Sequence, residues 1–264
     1  MPIRPYVLAD TNWKAVRNTE YSVAVLPWGA TEAHNYHLPY STDVVECDYI
    51  GAEAARIAWE SGARIVVLPT VPFGVNTGQL DIKLDLNVLP STQAAILSDI
   101  VDAISRTQIR KLVILNGHGG NDFKQMIREV GAMYPEVFVC QMNWYQIMDQ
   151  RQYFEEKDDH AGEMETSVIM HLAPDRVLPL SEAGDGKARR FKVRALREGW
   201  AWAERDWSEV TESTGVGNPH RATAEKGSRY LADLTQKIAS FLIELAEVDP
   251  DDLYEQEPGS LALS

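Results

Sequence analysis

The chain has 264 residues, 45% of them hydrophobic and 24% charged, with 39 Asp+Glu against 25 Lys+Arg and a formal net charge of −14. That length suits one α/β domain over residues 1–264, and the ordinary globular composition excludes a disordered chain, a collagen-like chain and a coiled coil. So acidic a surface repels phosphate backbones and anionic lipid, which argues against a nucleic-acid or membrane partner and favours cations.

In chain order, the opening MPIRPYVLADTNWKAVRN shows no apolar stretch behind a basic start, so no secretory signal is expected. No apolar run reaches the length of a membrane span. Cys47 and Cys140 lack CxxC spacing and read as reduced, mostly buried thiols of a cytoplasmic protein. Four Val- and Ile-rich runs, residues 22–28, 64–69, 111–116 and 137–142, predict strands. They do not alternate, so both of their faces should be covered, as in a parallel sheet. Helical spacing covers 48–61, 91–106 with Ser91 as its N-cap, 122–133, 160–172 and 222–247. The stretch 181–221 reads as loops and short elements, and 249–264 as a tail that is mobile or docks on a neighbouring subunit. Alternating strands and helices predict a layered α/β fold.

In such sheets ligands bind beyond the carboxyl ends of the strands. Glu32, His34, His37 and Asp43 follow the first strand. Asn116-Gly117-His118-Gly119-Gly120-Asn121 follows the third. Asp159, His160, Glu163 and Glu165 come after the fourth, so four of the six histidines fall in three loops at one edge. A single loop histidine is ordinarily a surface or capping residue, but this gathering of imidazoles and carboxylates suits a divalent Zn, Mn or Fe ion. Glu32 and His34, two apart on an extended segment, point to the same side. Asp43 has two oxygens with which to bridge two ions. Gly119 and Gly120 let an ion or substrate approach the backbone closely. A phosphate-binding reading of this turn is weak, because it lacks G-x-G-x-x-G spacing.

Glu32-x-His34 with Asp43 eleven positions after the Glu, the Asn-Gly-His118-Gly-Gly-Asn turn, and His160-Ala-Gly-x-x-Glu165-Thr-Ser occur in that order. Together with Thr214-Gly-Val-Gly-Asn-Pro219 and Ala222-Thr-Ala-Glu-Lys-Gly227, this pattern resembles the creatininase (creatinine amidohydrolase) family over about residues 20–245. The resemblance implies a three-layer α/β/α fold with a mostly parallel central sheet. It also implies two divalent ions and hydrolysis of a C–N bond, amide or cyclic amide, in a small molecule by a cytoplasmic homohexamer. Carried over by position, Glu32 and His118 hold one ion, His34 holds the other and Asp43 bridges. His160 becomes the general acid/base, with Asp159 either orienting it or solvating the loop. Trp144, Gly119 and Gly120 are expected at the substrate. His37 reads as structural, or as a donor to a metal-bound carboxylate.

The departures from the family pattern bear on the ligand set and the substrate. Creatininase carries a Glu two residues after the His of Asn-Gly-His. Gly120 stands there in this chain, so the fifth ligand must come from elsewhere, and the resemblance to the family's Gly-His-Gly-Gly-Asn branch, which keeps that Glu, implies Glu165, with Glu163 the runner-up. Asn35 replaces a usual Gly, at a turn where Asn tolerates positive φ. Glu156 stands where the family's lid tryptophan would be, and the loop 72–89 lacks the usual Phe-Pro-Gly-Thr. Another small amide is therefore a better expectation than creatinine, since relatives include a formamide hydrolase and a peptidase that trims a modified peptide. The alternative from another class is a non-catalytic metal- or ligand-binding protein of the same fold, which needs no general acid beside its ions.

Overall fold

The Val- and Ile-rich runs pair into one all-parallel sheet in a computed structural model that describes residues 3–255. Its strands are β1 Val23–Trp28, β2 Ile65–Val67, β3 Lys111–Asn116 and β4 Phe138–Asn143, in the order β2-β1-β3-β4. The helices are α1 Trp13–Arg17, α2 Thr42–Glu60, α3 Pro90–Ser105, α4 Lys124–Met133, α5 Glu163–Leu172, α6 Arg194–Glu198, α7 Trp207–Val210 and α8 Ala224–Glu247.

Successive strand residues serve opposite faces. Val23, Val25, Val113 and Leu115 pack under α2, α5 and α8. Ala24, Leu26, Leu112 and Ile114 pack under α3 and α4. The sheet is thus the middle of three layers, and its two covered faces explain why the strands are apolar at every position. Trp28 pairs with Asn116, and Asn116 with Asn143, so β1, β3 and β4 end level with one another. That register brings the three residue-rich loops to one edge.

Boundaries shift by one or two residues at most of the elements, and three of the differences have a clear physical reason. α2 starts at Thr42, six residues earlier than expected, and Asp43 lies in its first turn. Thr42, Asp43 and Glu46 are all buried there, so the amphipathic period is masked. α3 begins at Pro90 with Leu89 at the cap, because proline suits a first helical position that needs no N–H donor. α5 begins only at Glu163, which leaves His160 in a loop, bridged to Val216. Further on, α5 and α8 pack so closely that a Cβ at Gly227 would collide with the Ser167 carbonyl.

Cys47 and Cys140 are free thiols. No helix among the described residues is long and apolar enough to cross a membrane. Most of the expected tail 249–264, residues 256–264, lies outside the described residues, and within its described part Asp251 is paired with Arg110.

Lys111 opens the central strand β3 and is 5% exposed. Its Nζ donates to the carbonyls of Leu245 at 2.7 Å, Ala246 at 3.1 Å and Val248 at 2.7 Å. It thereby satisfies the open end of α8 and complements its dipole. Lys111→Met is expected to cost about 1–3 kcal/mol, because it leaves those carbonyls without a donor. A thermal melt should show a Tm lower by several degrees, and an unchanged melt would refute this role.

Candidate active site

β1 ends at Trp28, and the chain then folds back so that Asn35 takes φ 54°, the left-handed turn at which Asn is tolerated. The Asn35 backbone N–H donates to Thr214 Oγ1, and its side-chain amide donates to the Gly184 carbonyl. This turn sends Glu32 and His34 inward to meet Asp43 from the start of α2. From the turn after β3 comes His118, from the loop before α5 comes His160, and from the first turn of α5 comes Glu165. All six side chains are buried.

Asp43 faces two ways, with Oδ1 at 2.8 Å from His34 Nε2 and Oδ2 at 3.2 Å from His118 Nδ1. Glu32 Oε1 lies 2.8 Å from His118 Nδ1 and 4.0 Å from His34 Nε2. The set divides into Glu32-Asp43-His118 and His34-Asp43-Glu165, each with its ligand atoms within 4.8 Å of one another and Asp43 common to both. A third grouping, Glu32-His34-His160, overlaps them.

Three backbone carbonyls orient the imidazoles. The ring nitrogens His34 Nδ1, His118 Nε2 and His160 Nε2 lie against the carbonyls of Glu32 at 3.1 Å, Val75 at 3.0 Å and Ala33 at 2.9 Å. Since only a protonated nitrogen can bond a carbonyl, each neutral ring turns its lone pair into the cluster. His34 Nε2 and Asp43 Oδ2 are buried there with no hydrogen-bond partner, although other polar atoms approach closely. Lone pairs buried and converging in this way fit a cation rather than one another. The donor set of imidazole and carboxylate suits Zn, Mn or Fe.

The remaining expected residues fall less uniformly. Gly119 and Gly120 line the cleft. A Cβ at Gly120 would collide with the Val75 carbonyl and the His118 ring, so no carboxylate can reach in from that position. Glu165 Oε2 accepts from the Ala161 N–H and still reaches the His34-Asp43 group. Glu163 does not join the cluster, because its carboxylate accepts from the Glu155 and Glu156 N–H groups and pairs with Lys226 at 2.5 Å. Asp159 does not orient His160. Its Oδ2 accepts from Arg205 Nη1 at 2.6 Å, and the Ala33 carbonyl holds the His160 ring instead. His37 contacts no metal-facing carboxylate, and its Nε2 lies 2.8 Å from Thr166 Oγ1. Trp144 is fully buried in the core against Tyr145 and Tyr230, so its neighbour Tyr145 lines the cleft in its place.

Several contributing residues carried no chemical signature in the sequence. Gln79, from the loop after β2, donates to Glu32 Oε2. Asp158 accepts from the N–H groups of Gly162, Met164 and Glu165, which fixes the first turn of α5 and with it Glu165. Asn116 and Asn121 were visible as the flanks of the His118 motif. Asn116 brackets His118 by accepting from its N–H and donating to its carbonyl. Asn121 Oδ1 accepts from the Val75 N–H and from Gln93 Nε2, which holds the strap whose carbonyl orients His118.

Burial would push the Glu32 carboxyl up, but His118 and His160 override it and hold it well below the carboxylate range. Burial would lower His34, yet the Asp43 carboxylate holds it up at about 10. Burial pushes Glu165 up to about 8. At pH 7 the ion-free chain therefore carries protons on His34 and Glu165 that an ion must displace. Metal affinity is expected to rise steeply between pH 6 and pH 10, with release of up to about two protons from this pair and a further one from His118. Burial would lower His118, but the Glu32 carboxylate holds it well above the usual imidazole value. A group that holds its proton more tightly when folded stabilises the fold below its unfolded pKa and loses that stabilisation as pH rises through its folded pKa. The ion-free chain should accordingly lose stability from about pH 4.5 to 8 through Glu165 and from about pH 6.5 to 10 through His34. Calorimetry in buffers of different ionisation heat counts the protons, and affinity independent of pH would refute the ligand assignment.

Glu32, Asp43, His118, His160 and Glu165 open onto a cleft of about 970 Å³. Its walls include Gln79, Lys124, Tyr145, Gln146, Arg205 and Trp207.

The sequence profile of the family described as creatinine amidohydrolase matches residues 9–242. The mycofactocin precursor peptide peptidase of Mycolicibacterium smegmatis is 26% identical over 219 residues, covering 82% of this chain and 83% of that protein. A crystal structure from Bacteroides fragilis, provisionally described as a creatinine amidohydrolase, superposes with a TM-score of 0.90 at 45% identity. It covers 97% of this chain and 100% of its own. A manganese form of creatininase gives a TM-score of 0.75 at 22% identity, over 92% of this chain and 99% of its own.

Proposed function

The chain belongs to the creatininase family, and from that premise we propose that it is a metal-dependent amidohydrolase that cleaves a C–N bond with a two-ion centre. The observation that carries this reading is the buried group Glu32, His34, Asp43, His118 and Glu165. Its orphaned lone pairs converge, and Asp43 is common to two ligand sets. Two divalent ions bound there would supply Lewis acidity towards the amide carbonyl and bring a water to the basicity of a nucleophile at neutral pH.

The chain's own residues supply the rest. His160 Nδ1 presents its lone pair to the cleft 3.9 Å from Glu32 Oε1, too far for a hydrogen bond. It is therefore free to take a proton from water and return it to the departing nitrogen. Burial and the neighbouring His34 push its pKa below the usual imidazole value, so it is neutral and basic at pH 7. Trp207, edge-on to His160 at 5.4 Å, shields that side from solvent.

A cleft of about 970 Å³ lies at the upper end of small-molecule sites and has room for more than a single small ring. That size favours an amide carried on a longer molecule, in keeping with the peptide substrate named for the mycobacterial relative. Zn, Mn and Fe are the candidate ions, and the family kinship leads us to expect a cytoplasmic homohexamer. The test is metal analysis of the purified protein, then a hydrolysis screen with Mn²⁺, Zn²⁺ and Fe²⁺ added in turn. Cyclic amides, formamides and short peptides are the substrates to screen. Close to two ions per chain and turnover of one class are expected. Bound metal with no turnover anywhere would leave the non-catalytic binding protein as the better reading.

A further inference from the structure

Arg205 lines the cleft, and the chemistry above does not use it. Its guanidinium lies over the Trp207 ring, 4.4 Å from the centroid, and Trp207 in turn meets the His160 ring at 5.4 Å. These two contacts keep the guanidinium within about 10 Å of the His160 imidazole. Stacking on an indole fixes the plane of the group and leaves its edge donors exposed. Nη1 donates to Asp159 Oδ2 at 2.6 Å, while Nε and Nη2 have no partner among the described residues. The side chain is 39% exposed, so the open part of the fork is accessible from the cleft.

We propose that Arg205 is a specificity-determining residue that binds a carboxylate of the substrate close to the amide bond that is cut. A guanidinium fork matches a carboxylate in geometry and charge. Asp159 already shows a carboxylate oxygen docked on it and occupies only one of its donors. Asp122, Asp159 and Glu204 also line the cleft and disfavour a phosphate dianion more than a carboxylate monoanion. Lys124 adds a second cation on the same cleft. A separation of at most about 10 Å is no more than roughly three extended residues at 3.3–3.6 Å each, so the carboxylate and the amide belong to one short chain. The word substrate rests on the amidohydrolase reading, but the binding of the carboxylate does not.

The test measures binding without turnover. Full-length protein, loaded with Mn²⁺, is titrated calorimetrically with 6-oxoheptanoate and with its methyl ester. The ketone of these probes stands for the amide carbonyl and offers no C–N bond to cut. The acid is expected to bind about tenfold or more tightly than the ester, the worth of a charge-assisted hydrogen bond. Arg205→Gln should abolish that preference and leave the ester unchanged, and Arg205→Lys should keep part of it. A preference that survives Arg205→Gln, or acid and ester of equal affinity in the unmodified protein, would overturn the proposal. An Arg205-dependent preference in a protein that hydrolyses no amide would instead sink the amidohydrolase reading alone.

Discussion

Asp43→Ala is expected to empty the metal centre, taking the bound metal from close to two ions per chain to less than one. Asp43 is the one side chain shared by the Glu32-Asp43-His118 and His34-Asp43-Glu165 groups, so its removal breaks both sets at once. Its oxygens also sit against His34 and His118, whose imidazolium forms would then face each other's charge without the intervening anion. Hydrolysis should fall at least about 10³-fold, a loss of roughly 4 kcal/mol of barrier lowering. Metal analysis alongside circular dichroism separates loss of ions from loss of fold. A folded variant that still holds two ions would end the bridging assignment.

His160→Ala should give the opposite combination, with metal retained and turnover lost. The expected fall in kcat is about 10²–10⁴-fold, the range for removal of a general acid/base. The two ligand groups that share Asp43 are complete without His160, so ion content should match the unmodified protein. Because burial lowers its pKa, the acid limb of the kcat/KM profile should lie below about pH 6.5, where protonation silences the Nδ1 lone pair. The variant should lose that limb together with the rate. If the variant keeps its rate, the proton carrier lies elsewhere. If it loses an ion, His160 is a ligand.

Much of the candidate site could be read from the chain because each residue of the buried cluster lies in a short local motif. Glu32 and His34 share one loop, and the asparagines around His118 announce a structured turn. Replacement of a ligand at Gly120 pointed to Glu165, and the clash that a side chain there would suffer supplies the steric reason. For Asp159, adjacent to His160 in sequence, the same approach left open whether the carboxylate orients the ring or solvates the loop. Neighbours in an extended backbone point to opposite sides, so its carboxylate turns outward to Arg205. Glu163 and Glu165 could be separated only by their partners, since Lys226 on α8 claims one and the cluster the other. Trp144 sits at a strand end, as expected of a substrate contact, but the packing of Tyr230 against it draws it into the core.

The sequence by itself determined the layered α/β class, the strand and helix order and the donor chemistry. Those features rest on local periodicity and on residue type, both of which are written along the chain. Tertiary structure alone decided which nitrogen of each histidine faces the centre. The groups that decide it are the carbonyls of Glu32, Ala33 and Val75. A backbone carbonyl belongs to every residue, so its identity leaves no trace in the sequence; the Glu32 carbonyl is two residues from His34, but those of Val75 and Ala33 are brought by the fold from 43 and 127 residues away from His118 and His160.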